Sequence, residues 1–132
     1  MPMKTIPILF ALIGFVLLSC SKEEESVSPL DAYPAPVVQV DAPETASVGE
    51  NVTVTVYFSV NNGCGEFGSF EATRNGNTIT VKVYPHYREG FCTQAFVTRE
   101  VTYTYKPEEA GTYTFKFWAG EDQYLTKNIL VQ

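Results

Sequence analysis

The chain has 132 residues, with 15 acidic and 9 basic side chains and a formal net charge of −6. This length is enough for one domain with a modest core. The acidic balance argues against a nucleic-acid partner and against electrostatic docking on anionic lipid.

Residues 1–19 have the organisation of a secretory signal peptide. A single positive charge, Lys4, precedes an apolar run from Ile6 to Leu18. This run is shorter than the roughly 20 residues that cross a bilayer, and it fits the apolar region of a signal peptide. The alternative is a buried N-terminal helix or strand, and the charges immediately after Cys20 argue against it. Losing Lys4 with the signal peptide would change the formal charge from −6 to −7.

The end of this run, Leu17-Leu18-Ser19-Cys20, resembles the lipobox of bacterial lipoproteins. The resemblance implies cleavage before Cys20, a diacylglycerol on its thiol and a fatty acyl chain such as palmitate on its new amine. Several acyl chains anchor a protein durably, whereas a single chain holds only marginally. The implied partner is therefore the membrane, contacted through the N-terminal lipid.

Residues 20–36 read as an acidic, proline-containing tether, which we expect to be disordered because it offers little to bury. Its start resembles the export signal of Bacteroidota surface lipoproteins, in which acidic residues directly follow the anchor. That resemblance implies an outer-membrane protein facing the cell surface; the alternative is a solvated spacer with chance charges. The residues that carry it are Lys22, Glu23, Glu24 and Glu25.

From residue 37 to residue 132 the apolar residues recur with a period of two. The clearest case is residues 51–60, where four valines and Phe58 alternate with polar residues and Tyr57. Strict alternation predicts half-buried strands, and no stretch after residue 20 has helical spacing. The seven predicted strands are 37–41, 51–60, 67–74, 78–83, 95–105, 112–117 and 125–131.

Two connections refine this prediction. Asn75-Gly76 predicts a tight hairpin between the third and fourth strands, because both positions accept a positive φ. The segment from Pro107 to Tyr113 resembles the E–F corner of immunoglobulin-like domains, which implies that the Tyr113 hydroxyl bonds to upstream backbone. The fold class expected is all-β, an immunoglobulin-like or fibronectin III-like antiparallel β-sandwich of about seven strands.

Apart from Cys20 the chain has two cysteines, Cys64 and Cys92. In an exported protein an even remainder predicts a disulfide. The alternatives are two free thiols or a metal site that includes His86, the only histidine; a C-x-x-C spacing is lacking. In an immunoglobulin-like sandwich the loops that hold the two cysteines share one pole, which agrees with a disulfide.

No catalytic or cofactor-binding motif is present, so we expect neither an enzyme nor a cofactor. Six aromatic residues are expected near the cysteine pole. Among these, Tyr87, Trp118 and Tyr124 are candidates for a patch that binds a protein or glycan; the alternative is a structural cap. The six aromatic residues are Phe67, Tyr84, Tyr87, Phe91, Trp118 and Tyr124.

The function expected is a lipid-anchored binding or structural module. A periplasm-facing assembly factor is the alternative, followed by a small hydrolase.

Overall fold

A computed structural model describes residues 28–132. The signal peptide, Cys20 and the acidic segment from Lys22 to Glu25 lie outside the described residues. Within the described range, no helix is long and apolar enough to cross a membrane.

The described chain forms two packed β-sheets, which confirms the predicted sandwich. A three-stranded sheet has the order β1-β3-β6, and a five-stranded sheet has the order β2-β8-β7-β5-β4. Residues 28–132 form eight strands instead of the predicted seven, because a two-residue strand, β2, pairs with the last strand. The elements are a 3₁₀ helix Pro29–Ala32 and strands β1 Val37–Asp41, β2 Thr45–Ala46, β3 Val52–Val60, β4 Gly65–Asn75, β5 Thr78–Tyr87, β6 Val97–Tyr105, β7 Gly111–Gly120 and β8 Gln123–Val131.

The core lies between the sheets and is built by the alternating residues that the sequence indicated. Strands β3, β5 and β7 contribute most of the fully buried side chains, because each is covered on its inner face by the opposite sheet. An aromatic series continues this core towards β4 and β6, with Tyr103 packed edge-on against Phe70 at 5.1 Å between centroids. The central buried residues are Val54, Val56, Phe58, Val81, Val83, Phe115, Phe117 and Ile129.

The hairpin predicted at Asn75-Gly76 is present, since β4 and β5 pair antiparallel down to Asn75 and Thr78. The order in the sheet differs from the antiparallel arrangement that the immunoglobulin resemblance implies. Strand β5 lies between β4 and β7, and β5 and β7 run parallel. The physical reason is composition: β5 presents Ile79, Val81 and Val83 to the core, whereas β4 is polar and mostly exposed, which suits the edge of the sheet.

The corner before β7 is confirmed. The Tyr113 hydroxyl donates a hydrogen bond of 2.8 Å to the backbone carbonyl of Glu109. The Tyr113 ring is fully buried and packs against Tyr105 at 5.8 Å between centroids.

The expectation of a disordered tether is wrong for residues 28–36. Ala35 is buried and its N–H donates to the Val83 carbonyl of the five-stranded sheet at 2.7 Å. The next carbonyl, that of Pro36, accepts from the Ser59 N–H of the three-stranded sheet at 3.0 Å. This segment therefore joins the two sheets, and the folded unit begins before residue 37.

Candidate binding surface at the disulfide pole

Four chain segments meet at one end of the sandwich, which we call the disulfide pole. The strand registers place Val60 opposite Val97, Gly65 opposite Tyr87, and the start of β1 beside the end of β3. Loops that were expected to share a pole therefore do share it. The four segments are residues 28–36, 61–64, 88–96 and 121–122.

A disulfide between Cys64 and Cys92 crosslinks two of these loops, as predicted, with 5.3 Å between the Cα atoms. Two backbone hydrogen bonds reinforce the link: the Gly63 N–H donates to the Thr93 carbonyl at 2.9 Å, and the Arg88 N–H donates to the Cys64 carbonyl at 3.0 Å. Because both sulfurs are bonded to each other, neither is free to bind a metal. Residues 28–132 contain no cluster of three or more side chains suited to a metal ion.

Arg99, on strand β6, holds the loop that contains Cys64. Its Nε donates to the Gly65 carbonyl at 2.9 Å and its guanidinium Nη2 donates to the Gly63 carbonyl at 3.0 Å. Arg99 alternates in step with Val97 and Val101, so a charged residue stands at a position where the strand pattern predicts an apolar side chain facing the core. The irregularity has a structural cause: the arginine satisfies loop carbonyls at the rim of the core.

The structure removes Tyr87 from the candidate patch. Its ring is only 7% exposed, and its hydroxyl accepts a hydrogen bond of 2.9 Å from the Asn61 N–H. Gly65 permits this position, because a Cβ there would lie 2.8 Å from Cε1 of Tyr87. Phe67 also packs on the core, with its ring 6.4 Å from that of Phe58. These two rings close the end of the sandwich, so the capping interpretation holds for them.

Trp118 and Tyr124 lie together on the outer face of the five-stranded sheet. They are directly opposite each other in the antiparallel pair of β7 and β8. Phe117 and Leu125, their neighbours in sequence, face inward against the core. Trp118 is half-buried, and Tyr124 is 43% exposed. The structure therefore brings two of the three predicted patch residues together.

The most exposed rings at the pole are ones that the sequence analysis did not select as binding residues. Phe91 is fully exposed and Phe96 is 78% exposed, and both lie in the loop between β5 and β6. The sequence offered a signal for Phe91, because it directly precedes a cysteine in a segment without alternation. Phe96 fell within the predicted strand 95–105, whereas β6 begins at Val97.

A shallow groove of about 500 Å³ lies between the N-terminal segment and strands β4 and β5. Asp31 organises it: one carboxylate oxygen lies 3.0 Å from His86 Nδ1, and the other accepts from the Tyr87 N–H at 2.8 Å. Ser69 lines the groove but makes no hydrogen bond with His86 within the described range. The Asp31–His86 pair therefore holds the N-terminal segment on β5 and does not activate a nucleophile in this arrangement.

The family model of the ORF11 beta-sandwich domain matches residues 54–130. The chain belongs to this family. The match begins within β3 and ends within β8, so the ORF11 beta-sandwich domain includes the disulfide, Arg99 and the Trp118–Tyr124 pair. The N-terminal segment that joins the sheets precedes the matched region. No curated protein and no solved structure matched the chain.

Proposed function

We propose that the protein is a lipid-anchored module of the outer membrane that faces the cell surface. It binds a protein or glycan through the sandwich and catalyses no reaction. The observation that carries this proposal is the motif Leu17-Leu18-Ser19-Cys20, which ends eight positions before Ser28, the first residue that the structure describes. An anchor at Cys20 would hold the sandwich by one pole, close to the membrane.

The outer face of the five-stranded sheet supports a binding role. Trp118 and Tyr124 form a cross-strand aromatic pair outside the core, and Lys116 lies beyond them on the same face of β7. Aromatic rings with a polar tip contribute large contact areas and fixed geometry in binding surfaces. A face of this kind suits the stacking of a sugar ring or the packing of a partner's side chains.

Surface exposure is tested by antibody labelling of intact cells. Replacing Lys22 to Glu25 with alanine should abolish labelling while the protein stays in the membrane fraction. The matched control replaces Glu108 and Glu109, two exposed acidic residues of the sandwich, and should label like the unchanged protein. Unchanged labelling of the first variant would reject the export signal. Labelling of the unchanged protein only after permeabilisation would favour a periplasm-facing assembly factor.

The binding face is tested by comparing Trp118→Ala with Phe117→Ala in thermal melts. Phe117 is fully buried, and truncating a buried aromatic ring costs roughly 3–5 kcal/mol. Trp118 lies outside the core and is half-buried, so its truncation should cost clearly less, about 1 kcal/mol. Equal losses in the two variants would show that Trp118 is a structural cap, and the binding face would be rejected.

A further inference from the structure

The loop between β5 and β6 presents two phenylalanine rings to solvent at the disulfide pole. Phe91 is fully exposed and Phe96 is 78% exposed, so neither ring contributes to the core. Scattered single apolar residues on a surface are ordinary, but two large rings on one short loop form a candidate docking feature.

This loop is held in place. Cys92, next to Phe91, is bonded to Cys64, and Thr93 accepts the N–H of Gly63 at 2.9 Å. The crosslink and the hydrogen bond restrict the movement of the backbone on both sides of Cys92, next to Phe91. A constrained loop also loses little conformational entropy when its rings dock on a partner.

The chain leading to Cys20 enters the domain beside this loop. Ser28, Pro29 and Leu30 line a groove of about 370 Å³ together with Gly90 and Cys92. Eight residue steps separate Cys20 from Ser28. Because an extended chain spans at most 3.3–3.6 Å per residue, these steps bridge no more than about 29 Å. A lipid on Cys20 would therefore hold the disulfide pole near the bilayer surface.

The charges at the pole leave an apolar contact as the way to bind a membrane. The four segments carry one basic residue, Arg88, which lies 3.5 Å from the Glu66 carboxylate, against the acidic residues Asp31, Glu89, Glu121 and Asp122. The loop therefore has no excess of basic residues that would draw it to anionic headgroups. Two aromatic rings bind an interface weakly by themselves, but a nearby anchor makes the contact intramolecular and raises the effective concentration of lipid.

We propose that Phe91 and Phe96 insert into the interfacial layer of the membrane that carries the anchor. The inference rests on the proposed lipid anchor at Cys20. It orients the molecule: the disulfide pole faces the bilayer, the opposite pole with Val48 faces away, and the strands stand steeply on the membrane with Trp118 and Tyr124 accessible from the side.

The test places a single tryptophan at each position in the full-length, membrane-extracted protein. Trp118 is the only tryptophan of the chain, so each reporter also carries Trp118→Phe. The reporters are Phe91→Trp and Phe96→Trp, and the matched control is Val48→Trp, an exposed apolar residue at the opposite pole. Each protein is reconstituted in phosphatidylethanolamine–phosphatidylglycerol vesicles with and without brominated acyl chains. We expect both loop reporters to shift to shorter wavelength and to lose emission to bromine, and the control to do neither.

Mass spectrometry of the Cys20 peptide from the same samples separates the two proposals. An acylated chain whose loop reporters are not quenched would overturn the loop insertion alone. Quenched reporters in a chain without acyl groups would support insertion and contradict the anchor. Unquenched reporters in an unacylated chain would contradict both. A blue shift without bromine quenching, together with a dimer in sedimentation, would overturn insertion in favour of a second copy of the chain covering the loop.

Discussion

Arg99 is the side chain that ties the first pole loop to strand β6. Its guanidinium donates to the carbonyls of Gly63 and Gly65. Hydrogen bonds to charged groups each contribute about 1.5–3 kcal/mol, and Arg99→Met keeps the apolar stem while removing them. Because Arg99 is half-buried, we expect both losses to lie at the lower end of this range, so that the free energy of unfolding falls by about 3 kcal/mol in urea denaturation.

Arg88→Met is the matched control for Arg99→Met. Its ion pair with Glu66 is exposed on both sides, and such pairs contribute at most about 1 kcal/mol. We therefore expect the control to remain close to the unchanged protein. Equal losses from the two substitutions would contradict the role assigned to Arg99.

Tyr103 gives the sandwich a dependence on alkaline pH. Burial raises the pKa of the Tyr103 phenol above its ordinary value of 10.0, and the neighbouring Tyr105 raises it further. The folded state then holds this proton more tightly than the unfolded state. The associated stability is present below about pH 10 and is lost as the pH rises through the folded-state pKa.

Tyr103→Phe tests this dependence, because it keeps the ring that packs on Phe70 and removes the titrating group. Urea denaturation between about pH 9 and 11 should show a shallower decline of the unfolding free energy in the variant than in the unchanged protein. Parallel declines in the two proteins would contradict this assignment.

At the residue scale, the sequence was informative where a motif or the alternation of a strand determines where a side chain lies. Cys64, Cys92 and Tyr113 follow from redox chemistry and from a corner motif, and the side of β7 occupied by Trp118 follows from alternation. Tyr87 was misplaced for a specific reason. The strand predicted from alternation ended at residue 83, which left Tyr87 outside it. Strand β5 continues to Tyr87, which then falls in phase with the buried Val81 and Val83.

At the scale of elements, two contacts attach the N-terminal segment to β5: the backbone hydrogen bond from Ala35 to Val83, and the Asp31 side chain, which holds the part before Ala35. Asp31→Ala removes the acceptor of the Tyr87 N–H and the partner of His86. We expect faster backbone hydrogen exchange at Tyr87 and through residues 28–34. The global loss should be only about 1 kcal/mol, because one side-chain acceptor is removed at the edge of the fold.

Asp41→Ala serves as the control, since Asp41 is exposed on β1 of the other sheet and its carboxylate accepts from the Gln39 side chain. Its exchange pattern at Tyr87 should match that of the unchanged protein. Unchanged protection of Tyr87 in Asp31→Ala would show that other contacts attach the segment.

The composition of an element predicts whether it is a strand or a spacer better than it predicts which other elements lie beside it. The polar residues and prolines of 28–36 are typical of a spacer, and nothing local shows that Asp31 meets an unpaired N–H on β5. The same limit applies to the order of the large sheet. The apolar content of β5 favours a central place, but only the packing of both sheets determines that it runs parallel to β7.

At the scale of the whole molecule, one pole combines the disulfide, the exposed rings and the entry of the N-terminal chain. The sandwich and the shared pole of the loops were predictable, because alternation and turn signals constrain layers and connections. The exposure of the Phe91 and Phe96 rings was not predictable, since it depends on how the disulfide positions one loop. With the proposed anchor and loop insertion, this pole faces the membrane and the outer face of the five-stranded sheet stays free.

The lipid anchor is the central claim, and labelled palmitate tests it most directly in cells that express the unchanged protein and Cys20→Ala. We expect label in the unchanged protein, in the membrane fraction, and no label in the variant, which should leave that fraction. The double variant Cys64→Ala, Cys92→Ala is the control and should keep its label, because these thiols form the disulfide. An unlabelled native protein, or Cys20→Ala that still takes up palmitate, would contradict the account.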